Sequence, residues 1–451
     1  MTGKELLVRL DSGIVAEIFT KLYGKAALEP ARQRYAGLIE EILRDTGDWF
    51  PRNEFPEVHG DLRIFTAAGR TELGGNHTDH NLGKVLAASI QLDAVAAVAP
   101  RQDKKIFFRS TAYPDVIVDL SDLSIHENEK GTTEALVRGI AAEFTARGTP
   151  VGGFTANAAS TVLPGSGLSS SAAVEVLFAR IFDCLYGKGK RSALEIAQIG
   201  QKAENLYFGK PCGLMDQTAC ASGGAVAIDF GNPKKPGVSQ IDFDPASVGY
   251  ALCMVDTKGS HADLTPDYAA VPSEMKAVAG FFGKSVLREI DVEMVNARAQ
   301  EIRKIAGDRA LLRAFHFFSE NRRVDVMQKT LERMRDTPGP EAKKAAFGDF
   351  LNLVNQSGDS SWEMLQNTYS THNPSQQGIP LALALTKIFL DKRCGGAGAC
   401  RVHGGGFAGA IQVYLPADVL GEFQKQMEAH FGAGTVTVLM IRPVGAAELF
   451  F

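Results

Sequence analysis

The stretch Leu163-Pro164-Gly165-Ser166-Gly167-Leu168-Ser169-Ser170-Ser171-Ala172-Ala173 constrains this chain more than any other. It lies between a strand-like run, Gly153–Ala158, and a segment whose apolar residues Val174, Leu177, Ile181 and Leu185 fall three and four apart, the spacing of one buried helix face. A glycine- and serine-rich turn from strand into helix leaves backbone N–H groups free at the positive end of the helix dipole. Glycine also lets the backbone close on whatever binds there. A phosphate suits that position. The loop is not a Walker A loop, because no Lys-Ser or Lys-Thr closes it. Nor is it a dinucleotide fingerprint, because its glycine spacing is wrong. The competing reading is a serine-rich helix cap after a plain turn.

A loop of this kind needs a scaffold, and the chain is long enough to supply one. Its 451 residues predict two or three domains with filled cores. Lys plus Arg (48) against Asp plus Glu (52) leaves a net charge of −4, which argues against a polyanion-binding surface and hence against nucleic acid. Six cysteines without a CxxC pair suggest neither a zinc site nor a disulfide framework, and a reducing cytoplasm fits. Lys4, Glu5, Arg9 and Asp11 interrupt the apolar positions at the start of the chain, so no secretion signal is expected. The most apolar stretch, Val85–Val98, is broken by Ser89, Gln91 and Asp93, and falls short of the ~20 apolar residues a membrane span requires.

Residues 1–50 read as a helical leader, with Ile14, Ile18 and Leu22, then Tyr35, Leu38 and Ile42, at helical spacing. Residues 51–240 read as a first α/β domain. Its expected strands are Arg63–Ala67, Val85–Ile90, Ala94–Val98, Lys105–Ser110, Val116–Asp119, Gly153–Ala158 and Ala225–Asp229, and its helices Thr133–Arg147, Ala172–Tyr186 and Ala193–Phe208. A polar, glycine-bearing loop is expected at Gly69–Gly83. The turn-rich stretch Gly231–Gly237 leads to a second domain, residues 241–451. There the expected strands are Tyr250–Val255, Ala399–Val402, Ala410–Tyr414 and Thr435–Ile441, and the helices include Asp291–Ile305, Ala310–Met334 and Val419–Phe431.

Three further loops carry chemistry. Ala68–Asn81 packs hydrogen-bonding side chains between two apolar strands, the kind of surface that can satisfy the hydroxyls of a polyol. Within it, His77 and His80 do not by themselves define a metal site, and Arg70 reads equally as an ion pair or a substrate contact. Pro211-Cys212-Gly213-Leu214-Met215-Asp216-Gln217 follows a helix bearing Glu204, and a lone Asp after a turn is commonly a cap. His403–Ala410 is another glycine-rich loop ahead of a strand.

Together these four loops resemble the motif set of the GHMP small-molecule kinases, most closely the galactokinase branch, from about Arg63 to Ile441. PGSGLSSSAA is similar to the family's phosphate loop, AEN followed by GKPCGLMDQ to its central catalytic stretch, and GGGFAG to its C-terminal glycine motif. GRTELGGNHTDHN is similar to the branch's sugar signature, which usually reads GRVNLIGEHTDYN. Asn76 and His80 stand where that signature has Glu and Tyr; Thr71, Glu72 and Gly74 also depart from it, and His403 replaces a small hydroxyl residue. The arginine pair usual after the position of Tyr268 is replaced by Ala269-Ala270-Val271-Pro272.

The resemblance implies an α+β, two-domain fold. An N-terminal α/β domain and a C-terminal ferredoxin-like α/β domain would hold the active site between them. It implies an ATP-dependent kinase acting on the anomeric hydroxyl of a sugar, with galactose the leading substrate and galacturonate the alternative. A galactose sensor that binds sugar and ATP without turnover is the reading from another class. By the same resemblance Pro164, Gly165, Ser166, Gly167, Leu168, Ser169, Ser170, Ser171 and Ala172 would hold ATP, and Ser171 and Glu204 would contact Mg²⁺. Asp216 would orient or deprotonate the sugar hydroxyl and Arg70 would stabilise the moving phosphoryl group. Asn76, His77, Asp79, Gly213 and Tyr268 would contact the sugar, Asn76 at the C6 hydroxyl. Phosphoryl transfer needs that combination of positioning, positive charge and a carboxylate near the attacking hydroxyl.

Overall fold

A computed structural model describes residues 1–43, 61–111, 113–162, 167–260 and 264–450. The end of the leader and the start of the first expected domain (44–60), together with the loop positions Leu163, Pro164, Gly165 and Ser166, lie outside the described residues.

The first sheet has eight strands: β1 (Arg63–Gly74), β2 (Lys84–Pro100), β3 (Lys105–Ser110), β4 (Val116–Asp119), β5 (Phe154–Ser160), β6 (Ala225–Asp229), β7 (Gly237–Ile241) and, from the far end of the chain, β12 (Ala447–Leu449). Their order is β12-β1-β2-β5-β3-β4, with β6 paired to the first residues of β2 and β7 outside it. Only β3 and β5 run parallel. The second sheet is antiparallel and has the order β11-β8-β10-β9, from β8 (Tyr250–Asp256), β9 (Ala399–Val402), β10 (Ala410–Pro416) and β11 (Val436–Leu439).

Both faces of the first sheet are covered. Helices α1 (Gly3–Arg9), α2 (Gly13–Tyr23) and α3 (Leu28–Leu43) pack on Ile64, Val95, Ala97 and Ala99. Phe65, Ala67, Ala94, Ala96 and Val98 point the other way, into a core shared with α4 (Thr133–Ala146), α5 (Ser170–Tyr186) and α6 (Ala193–Ala203). A strand buried on both faces reads as a continuous apolar run, which is why the second half of β2, Ala94–Ala99, is written in Ala and Val alone. Helix α7 (Met215–Ser222) lies against β1 and β2. After β8 come α8 (Thr265–Phe281), α9 (Val292–Ala297), α10 (Ala299–Asp336, kinked at Gly307 where φ is +85°), α11 (Pro340–Ser360), α12 (Gly378–Cys394) and α13 (Leu420–Phe431). Helix α10 packs back onto β1 and β2, so the two halves of the chain interlock. Among the described residues no helix is long and apolar enough to cross a membrane.

Three expectations change. First, β2 is one strand where the sequence suggests two, because the polar residues that seemed to break it have partners. Gln91 bonds Val438 O and Met440 N, each at 2.7 Å. Asp93 accepts from the Tyr23 hydroxyl (2.6 Å), Thr66 (2.7 Å), Arg34 (2.7 Å) and Arg442 (2.5 Å). Second, the expected loop at Gly69–Gly83 begins as strand and is a loop only from Gly75. β1 continues to Gly74, with register shifts between Ala68 and Arg70 and between Glu72 and Gly74. Third, α8, α11 and α12 have no counterpart among the sequence expectations. Pro272 inside α8 and Pro340 and Pro380 near the starts of the others masked their periodicity.

Asp93 neutralises two guanidinium groups, one of which, on Arg442, is fully buried. Removing the carboxylate strands a buried charge. Asp93→Ala is therefore expected to destabilise the protein by about 3–5 kcal/mol in urea unfolding, whereas a loss under about 1 kcal/mol would show that the cluster is dispensable.

Candidate active site

Where β1 meets the first turn of α5 the backbones approach closely. Arg70 N–H donates to Leu168 O at 3.1 Å, and a Cβ on Gly69 would stand 3.0 Å from that same carbonyl. The bulges on either side of Arg70 turn its side chain toward α7. There the guanidinium, 5% exposed, grips Asp216 with two parallel bonds, Nε to Oδ1 at 2.7 Å and Nη2 to Oδ2 at 2.8 Å. Its remaining Nη1 donates to Gly167 O. Asp216 is deep yet keeps a third of its side-chain surface open, 34%, as a group meeting a ligand must. Burial pushes its carboxyl up. The Arg70 charge and the bonds from Arg70 and Ser169 outweigh burial and hold it below the usual carboxylate range.

Ser169 stands at the N-cap of α5 in the left-handed conformation (φ +61°), yet its hydroxyl donates to Asp216 and accepts nothing from the helix N–H groups. The α5 N-terminus therefore has no side-chain cap, the arrangement that accepts an anion. Gly167, Leu168, Ser169, Ser170, Ser171 and Ala172 are thereby gathered at that end of the helix, with Ser171 exposed. One turn beyond Ser171 on α5 is Glu175, which is fully buried. Gln217 bridges Glu175 and Glu204 with its amide, at 2.9 and 3.0 Å. Burial, reinforced by Glu204, pushes the Glu175 carboxyl well above its ordinary range. Glu204 opens a wide π turn (Glu204–Phe208) where the sequence suggested continuous helix, and Lys210 Nζ is 3.6 Å from it. Such turns often accompany functional sites.

The sugar-signature residues form the opposite wall. Asp79 packs so tightly on Gly213 that a Cβ there would be 1.9 Å from Asp79 Oδ2, so Asp79 lies against the loop that leads, three residues later, to Asp216. His77, at φ +58°, donates from Nε2 to Gly405 O at 2.9 Å. Burial lowers its imidazole to about 4. The His80 ring lies beside it, centroids 6.4 Å apart. Tyr268, on α8, donates to Gly406 O at 3.0 Å and covers Gly405, where a Cβ would be 2.5 Å from its ring. The His403–Ala410 loop thus joins this wall.

Asn76 is placed differently from the expectation that it meets a C6 hydroxyl. It is 1% exposed. Its amide donates to Gly404 O at 2.7 Å and faces Glu72 at 3.3 Å, and its oxygen accepts from Asn367 at 2.9 Å. All of its polar atoms serve the interior. Glu72 in turn is paired with the fully buried Arg401 at 2.7 Å. Sequence reasoning missed Ser169 as a partner of Asp216, Gln217 as the bridge between two carboxyls, and the Glu72–Arg401–Asn367 support. Gln217 sits within a recognised motif; Asn367 and Arg401 offered no local signal.

Comparison with known proteins fits this geometry. Residues 135–224 match the GHMP kinases N terminal domain, and residues 53–100 the galactokinase galactose-binding signature. A galactokinase of Streptomyces coelicolor is 30% identical over 401 residues, 87% of this chain and 94% of that protein. The structure of Lactococcus lactis galactokinase complexed with galactose superposes with a TM-score of 0.72 at 22% identity, covering 91% of this chain and 100% of that one. Methanococcus jannaschii mevalonate kinase shares the fold at a TM-score of 0.55 and 12% identity, over 85% and 99% of the two chains. This chain belongs to the GHMP kinase family. Within that family its activity is that of a galactokinase-like, ATP-dependent sugar kinase.

Because burial alone would raise Asp216, deleting the cation should let it do so. In Arg70→Met the acid limb of the kcat/KM profile is expected to move to higher pH, with turnover lowered by about 10²-fold or more. An unmoved limb would show that Arg70 does not control Asp216. At position 76, Asn76→Glu would set a second buried carboxylate against Glu72, and a loss of about 3 kcal/mol in urea unfolding is expected. Unchanged stability would mean that the new side chain turns into the cleft.

Proposed function

We propose that this kinase transfers the γ-phosphoryl group of ATP to the anomeric hydroxyl of galactose, giving galactose 1-phosphate and ADP. The observation that carries the proposal is the Arg70–Asp216 pair. It stands where the uncapped α5 N-terminus meets the wall holding Asp79, with its carboxylate open to solvent. Asp216, kept ionised by Arg70, orients the sugar hydroxyl and takes up its proton as the new P–O bond forms. Arg70 faces the charge gathering on the transferred group, and the backbone N–H groups of Ser170, Ser171 and Ala172 hold the nucleotide phosphates. Asp79, with His77 and Tyr268 beside it, binds ring hydroxyls. Asn76 supports that wall from behind.

The donor chemistry at the phosphate side fits Mg²⁺. Glu204 and the exposed Ser171 hydroxyl offer hard oxygens, few enough to leave room for phosphate and water ligands. When bound, the ion would neutralise phosphate charge. We take residues 51–240 and 241–451 as the two lobes of the kinase, with β12 as the C-terminal lobe's return to the first sheet. A cytoplasmic setting accords with six free thiols.

Galacturonate is the second substrate to test, because His80 stands where the galactokinase signature has Tyr. ADP release should be measured over galactose, galacturonate, arabinose, N-acetylgalactosamine and inositol, with phosphorus NMR to locate the ester. The expected result is fastest release with galactose and a 1-phosphate product. Binding of galactose without ADP release would instead support the sensor reading. Asp216→Asn keeps the shape of the side chain and removes its charge. A fall in kcat of about 10²–10⁴-fold with sugar binding intact is expected, and near-wild-type turnover would remove Asp216 from its role.

A further inference from the structure

His403 ends β9 and opens the third glycine loop, and it is 2% exposed. Two groups converge on its Nε2. The Glu72 backbone N–H donates to it at 3.2 Å, and the Thr71 hydroxyl lies 3.0 Å away. That hydroxyl already accepts from Gln412 Nε2 at 2.7 Å, so its own proton is free to point at the imidazole. With the Nε2 lone pair engaged twice, the ring proton of the neutral imidazole must sit on Nδ1. Burial, with Arg70 and Arg401 nearby, keeps the ring neutral. Nδ1 is buried and has no hydrogen-bond partner among the described residues. It faces the phosphate loop: a Cβ on Gly167 would stand 3.3 Å from Nδ1, and the Gly167 carbonyl is the one held by Arg70. An unmet buried donor is costly and calls for a group to meet it, and this one stands beside the loop suited to phosphate.

We propose that His403 is a nucleotide-binding residue whose Nδ1–H is reserved for a phosphoryl oxygen of the nucleoside triphosphate bound at the N-terminus of α5. The donor is preset by its neighbours, so it needs no reorganisation when the anion arrives, and being neutral it adds direction without adding charge. The proposal rests on the kinase reading above.

Its test is calorimetric binding of a non-hydrolysable ATP analogue with Mg²⁺, and separately of galactose, to the full-length wild type, His403→Ala and His403→Asn. The Asn amide can offer a donor near the Nδ1 position. In His403→Ala, analogue affinity is expected to fall by about tenfold or more, as for a lost hydrogen bond to a charged group, with galactose affinity unchanged within about twofold. His403→Asn should recover most of the loss. In ¹⁵N-histidine-labelled wild type, the Nδ1 proton should shift downfield on adding the analogue and stay put on adding galactose. That readout stands even if His403→Ala fails to fold. Equal losses for both ligands, no loss for either, or an unmoved Nδ1 proton would overturn the proposal. Failure of the wild type to bind the analogue at all would instead sink the kinase reading on which it rests.

Discussion

The bidentate contact between Arg70 and Asp216 is the joint around which the site is assembled. It ties a bulged sheet strand to a short helix, and through Gly167 and Ser169 it also holds the start of α5. A buried ion pair does little for stability by itself, since desolvating both charges offsets most of their attraction. What it fixes is geometry and ionisation. Asp216 keeps its charge in a place where burial would otherwise protonate it, and Arg70 keeps a cation aimed at the space beside it.

A second set of buried contacts carries that joint into the other half of the chain. Arg401 donates to both the carboxylate and the backbone carbonyl of Glu72, and Gln412 donates to Thr71 and to the same carbonyl. Glu320 accepts from Gly75 N–H and from Ser357, while His316 bonds the Asn76 carbonyl. The end of β1 and the turn that follows it are thus held by β9, β10, α10 and α11. The arginine and glutamate are fully desolvated here, and each is tolerated only because its partner is in place.

The legibility of the site followed the range of the interactions. Gly167–Ala172 stood out because glycines and serines at a helix start leave a local mark, whereas Asp216 and Arg70 were singled out only through the family resemblance of the motifs that hold them. Asn76 was misjudged for the opposite reason. In the sequence it is a polar residue in a polar stretch, and nothing local says that Gly404, Glu72 and Asn367 take up its amide. The extent of β1 was misjudged similarly, since Arg70, Thr71 and Glu72 look like loop residues until Arg401, Gln412 and Asp216 neutralise or bond them.

By itself the sequence determined the α+β character and the kinase family, because each rests on periodicity or on motifs carried by contiguous residues. The tertiary structure alone decided which polar groups stay open to solvent and which serve the core. It decided that β12 returns to the first sheet, that α10 closes over β1, and that His403 holds a donor without a partner. These depend on contacts between residues hundreds of positions apart, and the cost of burying a charge or an N–H group is set by whichever distant group arrives to meet it.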